Sequence, residues 1–125
     1  MRLLLDTHTL LWLMEENPRL SPQACSLIRK AEQVYVSTAS IWEIAIKWQI
    51  GKIEEDPEMV VARLGQAGLR ELQVTNRHAI AAGQLPLLHR DPFDRLLVAQ
   101  AMTEPLHLLT ADKQLQAYSE LVITI

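Results

Sequence analysis

The sequence predicts a single α/β domain in which a parallel β-sheet of about five strands is covered by helices on both faces. Short apolar segments rich in β-branched and aliphatic residues alternate with longer segments that carry helix-capping signals, and this alternation is typical of parallel crossover connections. The strand segments are continuous apolar runs, as expected for strands that are buried on both sides. With 125 residues, 49% hydrophobic and 22% charged, the chain has the size and composition of one globular domain.

The predicted element order is β-αα-β-αα-β-αα-β-α-β. The first strand is an apolar run that ends at Asp6, and the second contains the β-branched and aromatic run Val34-Tyr35-Val36. The predicted strands cover residues 3–5, 34–36, 71–74, 106–109 and 121–125. The predicted helices cover residues 9–15, 22–30, 38–50, 57–65, 76–82, 92–102 and 111–118.

Capping residues mark several of these helix ends. Ser21 and Asp91 are each followed by Pro, which places a side-chain acceptor at the N-cap and Pro in the first turn. Asn76 is expected to cap the fifth helix. Gly51 is expected just beyond the end of the third helix, where a positive φ is common. These signals support helices that begin near residues 22, 76 and 92.

Composition and residue spacing exclude several classes of protein. Cys25 is the only cysteine, so no internal disulfide can form and a cytoplasmic location is expected. No apolar run approaches the length of a membrane-spanning helix, and Asp6 interrupts the N-terminal run too early for a signal peptide. The four histidines show no i,i+4 pair, so a zinc site is not favoured. His89 is expected near Asp91, but a chemical role for it is not favoured.

The net charge of −3 argues mildly against an unassisted nucleic-acid binder, which normally has a basic excess. Acids that belong to one site would weaken this objection, because bound divalent cations would reverse the local charge. We therefore expect affinity for a polyanionic substrate to depend on metal ions and a few placed cations.

Four acids lie where predicted strands end or where predicted helices begin: Asp6, Glu43, Asp94 and Asp112. The ends of parallel strands meet along one edge of a sheet, so these carboxylates are expected to share one crevice. Carboxylates without a Cys or His cluster select a hard cation such as Mg²⁺ or Mn²⁺. Such a site suits metal-assisted hydrolysis of phosphodiesters, and the residues therefore favour a small metal-dependent nuclease.

Each acid also has a purely structural explanation. Asp6 and Asp112 fit N-cap positions, and Asp94 is favoured near a helix N-terminus by the helix dipole. Ser40 and Glu43 fit a capping box, and Glu43 with Lys47 fits an i,i+4 surface pair. Four acids in such positions on different structural units are harder to explain in this way. Without a cation, the mutual repulsion of their carboxylates would destabilise the fold. The joint interpretation as a metal site is therefore preferred.

Four segments of the sequence resemble the motifs of the PIN domain family and, more narrowly, of the VapC-type ribonuclease toxins. Residues 3–8 resemble the first-strand motif, in which an apolar run ends in a metal-binding Asp followed by Thr or Ser. Residues 40–47, followed by Gly51-Lys52, are similar to the second motif, and residues 91–101 and 109–112 resemble the third and fourth. The resemblance spans residues 1–125 and keeps the order and spacing of the motifs.

This resemblance implies a sheet in the order 3-2-1-4-5 and Mg²⁺- or Mn²⁺-dependent endonucleolytic cleavage of RNA. It also implies a cognate antitoxin that blocks the site, and either a homodimer or a higher assembly that includes the antitoxin. The implied catalytic acids are Asp6, Glu43, Asp94 and Asp112, and the metal ligands are Asp6, Asp94 and Asp112. Residues with an implied secondary role are Asp91, Thr7 and Thr110. Asp91 is an additional acid one turn before Asp94, and either of the two is a candidate ligand, with Asp94 preferred.

Further assignments concern the surroundings of the acids. Glu43 is expected to orient a water molecule or to complete the shell of a second ion. The cations expected to contact flanking phosphates, each of which could equally be a solvated surface charge, are Lys47, Lys52, Arg95 and Lys113. An apolar groove leading to the acids is expected to take an amphipathic antitoxin helix. The groove is assigned to Trp12, Leu13, Met14, Trp42 and Trp48, although tryptophans are more often found in the core.

Two other classes of protein share part of this pattern. A phosphoacceptor receiver domain also has five parallel strands, but it requires an acidic pair after the first strand and a Lys after the last, whereas Asp6 stands alone and the chain ends at Ile125. A catalytically silent PIN module, acting as a protein- or RNA-binding scaffold, would be marked by loss of one of the acids. All four acids are present, which favours the enzyme.

Overall fold

Five parallel strands form one sheet in the computed structural model, which describes residues 1–125. The strands are β1 (Arg2–Leu5), β2 (Gln33–Ser37), β3 (Arg70–Leu72), β4 (His107–Thr110) and β5 (Val122–Thr124). Their order is β3-β2-β1-β4-β5, which confirms the expected order. Leu5 of β1 pairs with Val36 on one side and with Leu109 on the other, so the three central strands end at the same level.

Six α-helices and one 3₁₀ helix connect the strands, and the predicted element order is confirmed. The helices are α1 (Thr7–Glu15), α2 (Pro22–Lys30), α3 (Thr38–Gln49), α4 (Pro57–Gln66), α5 (Asn76–Gln84) and α6 (Pro92–Thr103). The 3₁₀ helix covers Lys113–Ala117 and lies between β4 and β5. None of the helices combines the length and the apolar character needed to cross a membrane.

Two apolar cores lie on opposite faces of the sheet, because successive side chains of a strand point in opposite directions. Leu3 and Leu5 belong to a core formed with α1, α3 and α4, whereas Leu4 belongs to a second core formed with α6 and the 3₁₀ helix. All three leucines are fully buried, and each contributes roughly 1.5–3 kcal/mol through burial of its side chain. The first strand is therefore held from both sides, and this fixes the position of Asp6, which follows it.

Three local features differ from the sequence-based prediction. Thr75, not Asn76, is the N-cap of α5, because its hydroxyl accepts the His78 N–H while the His78 ring accepts the Thr75 N–H. The segment predicted as a helix over residues 111–118 is a shorter 3₁₀ helix that begins after Asp112. Ser37, not Ser40, caps α3, so the proposed capping box of Ser40 and Glu43 is wrong. Gly51 follows α3 with a φ of +75°, as predicted.

Candidate active site

The acids meet at the carboxyl edge of the sheet, where the chain order reverses. From β1 the sheet continues to β2 on one side and to β4 on the other, and such a reversal creates a crevice at the strand ends. A cavity of about 270 Å³ occupies this position. Five acids line it: Asp6, Glu43, Asp91, Asp94 and Asp112. Folding thus brings together residues that are separated by up to 106 positions in the sequence.

Asp6 is buried and held by two hydrogen bonds. Its Oδ1 accepts the Thr9 N–H at 2.8 Å, which makes Asp6 the N-cap of α1, and its Oδ2 accepts the Thr110 hydroxyl at 2.6 Å. The Thr110 Oγ1 in turn accepts the Asp112 N–H at 3.0 Å, so one hydroxyl connects the two acids. The capping explanation for Asp6 is therefore correct, but a carboxylate oxygen has more than one lone pair and remains able to bind a cation. Thr7 lines the cavity and donates its hydroxyl to Ser40.

Glu43 is a buried carboxylate paired with a lysine. It is 7% exposed, and the Lys47 Nζ lies 3.0 Å from its Oε2. The i,i+4 pair expected from the sequence is therefore present, but the carboxylate is not on the surface. A buried carboxylate is costly unless it is paired, and Lys47 supplies part of this compensation. The ammonium group of Lys47 also faces the cavity.

The two acids at the start of α6 are in different environments. The Asp91 Oδ1 caps the helix by accepting the Phe93 N–H at 2.9 Å and the Asp94 N–H at 3.4 Å. The Asp94 carboxylate has no such partner, since the His89 Nε2 lies 3.8 Å from its Oδ2, beyond hydrogen-bonding distance. Burial, and then the negative charges of Asp91, Asp6 and Glu43, raise the pKa of Asp94 to about 7. This supports Asp94 rather than Asp91 as the ligand of a cation.

His89 lines the cavity close to Asp91, as expected from the sequence, but the sequence favoured no chemical role for it. Its Nε2 lies 2.8 Å from the Asp112 Oδ2, and its Nδ1 accepts the Asp91 N–H at 3.0 Å. The nearest sequence signal was its position two residues before Asp91, but an isolated histidine in a loop carries little information. Its proximity to Asp112, 23 residues later, is a consequence of tertiary structure.

The four expected phosphate-contacting cations have different positions. Lys47 lines the cavity, whereas Lys52 and Lys113 are exposed on the surface outside it. Arg95 does not line the cavity. Its guanidinium donates to the carbonyl oxygens of Ala82, Leu85 and Pro86 at 3.0, 3.3 and 3.1 Å. These bonds hold the Arg95 side chain against the end of α5, so it has a structural role.

The five residues assigned to an apolar groove do not form one surface. Met14 is part of a core, and Leu13 and Met14 line a separate cavity of about 470 Å³ near the start of β2, at the opposite edge of the sheet. The reason is helical geometry: relative to Trp12, Leu13 and Met14 are turned by about 100° and 200° around α1.

The tryptophans themselves are not core residues. Trp42 is 62% exposed and Trp48 is 42% exposed, but they lie about 120° apart around α3. Trp42 packs edge-on against Phe93, with ring centroids 5.2 Å apart, and Trp12 lies beside His8, at 6.2 Å. Since His8 lines the acidic cavity and Trp42 and Phe93 adjoin Glu43 and Asp94 in sequence, Trp12 and Trp42 lie near the cavity mouth.

The donor set of the cavity fits a hard divalent cation. Five carboxylates face one ammonium group, so the cavity has a strong excess of negative charge. The donor atoms of Asp94, Asp112 and His89 lie within 4.8 Å of one another. Asp6, Asp94 and Asp112 could hold Mg²⁺ or Mn²⁺, because carboxylate oxygens are the preferred protein ligands of these ions.

A doubly covered parallel sheet in the order 3-2-1-4-5, with acids from four segments at its switch point, defines a PIN-type fold and site. The family model described as "PIN domain" matches residues 3–121, and the chain belongs to the PIN domain family. Within this family it is similar to "Ribonuclease VapC22" of Mycobacterium tuberculosis (strain ATCC 25618 / H37Rv). The two are 30% identical over 117 residues, which cover 92% of this chain and 90% of the relative.

Solved structures share the fold at lower sequence identity. The VapBC2 structure from Rickettsia felis, bound to a DNA fragment from its promoter, matches with a TM-score of 0.71 and 16% identity, over 100% of this chain and 98% of the other. FitAcB from Neisseria gonorrhoeae matches with a TM-score of 0.68 and 18% identity, over 98% and 96% of the two chains. A toxin–antitoxin complex from Klebsiella pneumoniae matches with a TM-score of 0.68 and 18% identity, over 97% and 95%.

Proposed function

We propose that this protein is a metal-dependent endoribonuclease that hydrolyses RNA phosphodiester bonds, and that it is the toxin component of a toxin–antitoxin pair. The observation that carries the proposal is the cavity at the sheet switch point, where five carboxylates converge and the pKa of Asp94 is raised to about 7. Groups with strongly shifted pKa values in a cleft are typical of functional sites. Similarity to the ribonuclease VapC22 supports the same activity.

In this proposal Asp6, Asp94 and Asp112 would hold one or two Mg²⁺ or Mn²⁺ ions. A cation held there would supply positive charge to acidify a water molecule and to offset the charge on the leaving oxygen. The Thr110 hydroxyl holds Asp6 and the Asp112 backbone in a fixed relation, which reduces the reorganisation needed when substrate binds. Glu43 lines the same cavity and would accept a proton or orient the attacking water, and the Lys47 Nζ lies 3.0 Å from its Oε2.

The substrate is expected to bind chiefly through its phosphates. Lys47 is the cation nearest to the acids, and the exposed Lys52 and Lys113 are available to contact phosphates on either side of the cleaved bond. Because the cavity itself is acidic, an RNA phosphate should bind there only together with divalent cations. Affinity for RNA should therefore fall when the cations are removed.

The direct test is cleavage of single-stranded RNA and of DNA of the same sequence, with Mg²⁺, with Mn²⁺ and with excess chelator. We expect RNA cleavage with either metal and none with chelator. The Asp6→Asn variant is a matched control for contaminating nucleases, since it is expected to be inactive under all conditions. Cleavage by the wild type that persists in chelator while Asp6→Asn is inactive would reject the proposal.

The alternative function is a catalytically silent PIN module that acts as a protein- or RNA-binding scaffold. The structure offers one reason to prefer the enzyme: a scaffold has no need for an unpartnered carboxyl such as Asp94 among four other acids, because this arrangement costs stability. RNA binding without cleavage in Mg²⁺ and Mn²⁺ would favour the scaffold.

We further propose that a cognate antitoxin protein binds near the mouth of the acidic cavity and that the toxin forms a homodimer. The structural relatives include a toxin–antitoxin complex from Klebsiella pneumoniae. Trp42 offers an exposed aromatic anchor beside the cavity, suited to the apolar face of an antitoxin helix. A basic side chain of that helix would then reach the carboxylates and form a charge-assisted pair.

A further inference from the structure

Hydrogen bonds hold the loop that carries His89 against the segment that follows β4. This loop (residues 85–91) joins α5 to α6 and contains no regular secondary structure. The Tyr118 hydroxyl accepts the N–H groups of Leu88 and His89, at 3.2 and 2.9 Å, and donates to the Pro86 carbonyl at 2.9 Å. Because Tyr118 follows the 3₁₀ helix that Asp112 caps, these bonds attach the loop to the same short segment that presents Asp112 to the cavity.

The His89 ring makes a second connection between the two segments. Its Nδ1 accepts the N–H of Asp91, the residue that caps the helix bearing Asp94. This hydrogen bond assigns the proton of the neutral ring to Nε2, which donates to the Asp112 Oδ2 at 2.8 Å. The ring is held in place by burial, with its side chain 14% exposed. The imidazole thus joins the start of α6 to the start of the 3₁₀ helix.

We infer that His89 is a positioning residue that holds Asp112 in the orientation needed to bind a divalent cation. The inference rests on the proposed function, in which Asp112 is a metal ligand. The Asp112 side chain is partly exposed, and its two oxygens are held differently. The Gln114 N–H holds Oδ1 at 2.9 Å, whereas Oδ2 has the His89 Nε2 as its donor, so loss of the imidazole would leave Oδ2 without a partner. Hydrogen-bond partners of metal ligands typically affect metal affinity by about 10- to 100-fold.

The same geometry argues against His89 as a direct ligand. Its Nε2 is close enough to Asp94 and Asp112 to share a cation with them. However, the lone pair needed for coordination at Nε2 is replaced by a proton when Nδ1 accepts the Asp91 N–H. Coordination would therefore require loss of the bond to the N-cap of α6.

A pair of matched substitutions separates the two hydrogen bonds of the ring. In His89→Asn the shorter side chain can still accept the Asp91 N–H but cannot reach Asp112. In His89→Gln the amide nitrogen can reach Asp112 and donate to it. If His89 acts on the metal site through Asp112, the affinity for Mn²⁺ should fall by about 10- to 100-fold in His89→Asn and should recover to within about threefold of the wild type in His89→Gln.

The experiment is calorimetric titration of the full chain with Mn²⁺, together with thermal unfolding of the same metal-free variants. His107→Gln, on β4, is the control for the loss of a histidine and should bind Mn²⁺ like the wild type. If the Mn²⁺ affinity of the variants falls in parallel with their thermal stability, His89 has only a structural role and the inference is overturned. Equal weakening in His89→Asn and His89→Gln would overturn it in favour of direct coordination.

The titration distinguishes failure of the proposed function from failure of the inference. If the wild type binds no Mn²⁺, the metal-dependent mechanism is wrong and the role of His89 falls with it. If the wild type binds Mn²⁺ and both His89 variants bind it equally well, only the inference is wrong. The Tyr118→Phe variant tests the loop independently: it leaves the imidazole intact, and we expect it to weaken Mn²⁺ binding less than His89→Asn does.

Discussion

Asp94 differs from the other acids of the cavity in the number of groups that compensate its charge. Asp6, Asp91 and Asp112 each accept at least one backbone N–H, and Glu43 is paired with Lys47. The Asp94 carboxylate has no comparable partner, and burial together with its acidic neighbours raises its pKa to about 7. We therefore expect the environment of Asp94 to change more than that of the other acids when a cation binds.

Replacement of Asp94 should separate activity from folding. We expect Asp94→Asn to lower RNA cleavage by at least about 100-fold, equivalent to about 2.7 kcal/mol, because a ligand of the proposed metal is lost. The matched control is Asp91→Asn, in which Asn remains a good N-cap, and its loss of activity should be much smaller. Single-turnover cleavage rates at saturating Mn²⁺ measure both. Wild-type rates in Asp94→Asn would remove this residue from the mechanism.

The raised pKa of Asp94 predicts a pH dependence of stability. A carboxyl whose pKa is higher in the folded state than in the unfolded chain stabilises the fold fully below its unfolded pKa of 3.8, and this contribution is lost as the pH rises through about 7. In metal-free buffer, raising the pH from 5 to 8 should therefore lower the stability contributed by this residue, by on the order of 2 kcal/mol.

Urea unfolding at several pH values measures this effect. Asp94→Asn removes the titrating group, so its stability should depend less on pH and should exceed that of the wild type at pH 8. Saturating Mn²⁺ should have a similar effect on the wild type, since a ligand that binds only the folded state stabilises it. Parallel pH profiles for the wild type and Asp94→Asn would show that the charge of Asp94 is compensated in some other way.

At the scale of elements, the site depends on where helices begin and how loops are held. Asp6, Asp91 and Asp112 are all N-caps, so the same residues that start helices also present carboxylates to the cavity. A capping acid keeps the first turn in place, and the first turn in turn fixes the orientation of the acid. The loop at residues 85–91 is held by Tyr118 and Arg95 rather than by secondary structure.

Arg95 should therefore affect stability more than substrate binding. Its guanidinium bonds to three backbone carbonyls require a planar group with several donors, which a lysine ammonium cannot replace. We expect Arg95→Lys to lower the free energy of unfolding by about 1–3 kcal/mol. Arg90→Lys, at an exposed position, should change it by less than about 0.5 kcal/mol. Chemical denaturation tests both, and a selective loss of RNA affinity without loss of stability would restore Arg95 to the phosphate-binding group.

At the scale of the whole molecule, the acidic cavity and the exposed apolar side chains of α3 lie close together. Trp42 and Phe93 adjoin the cavity acids Glu43 and Asp94 in sequence, and their rings are in contact. Ile46 and Ile50 continue the exposed apolar surface along α3. An antitoxin that covers this face could contact both the apolar surface and the carboxylates.

Loss of the Trp42 side chain should weaken antitoxin binding selectively. If Trp42 is a buried anchor in the complex, Trp42→Ala should reduce affinity by on the order of 2 kcal/mol or more, while RNA cleavage by the free protein stays nearly unchanged. Trp48→Ala is the matched control, because Trp48 points to a different side of α3 and should have little effect. Calorimetry with the purified antitoxin measures both, and equal effects of the two substitutions would contradict a binding surface centred on Trp42.

The amino-acid sequence was sufficient to predict the fold class, the order of the elements and the convergence of four acids on one cavity. Continuous apolar strands and capped helices specify local structure through nearby residues, and the sheet order followed from family resemblance, as the structure confirms. The acids were found because Asp6, Asp94 and Asp112 occupy positions where strands end or helices begin, and all such positions reach the same edge of a parallel sheet.

The partners of individual side chains, in contrast, depend on the packing of the folded chain. His89 reaches Asp112 because the loop before α6 folds against the segment after β4, and no local pattern records this contact. Arg95 donates to backbone carbonyls, and Leu13 and Met14 line a cavity separate from the acidic one. Such pairings depend on the packing of elements distant in sequence, whereas capping and hydrophobic patterns depend on neighbours within a few residues.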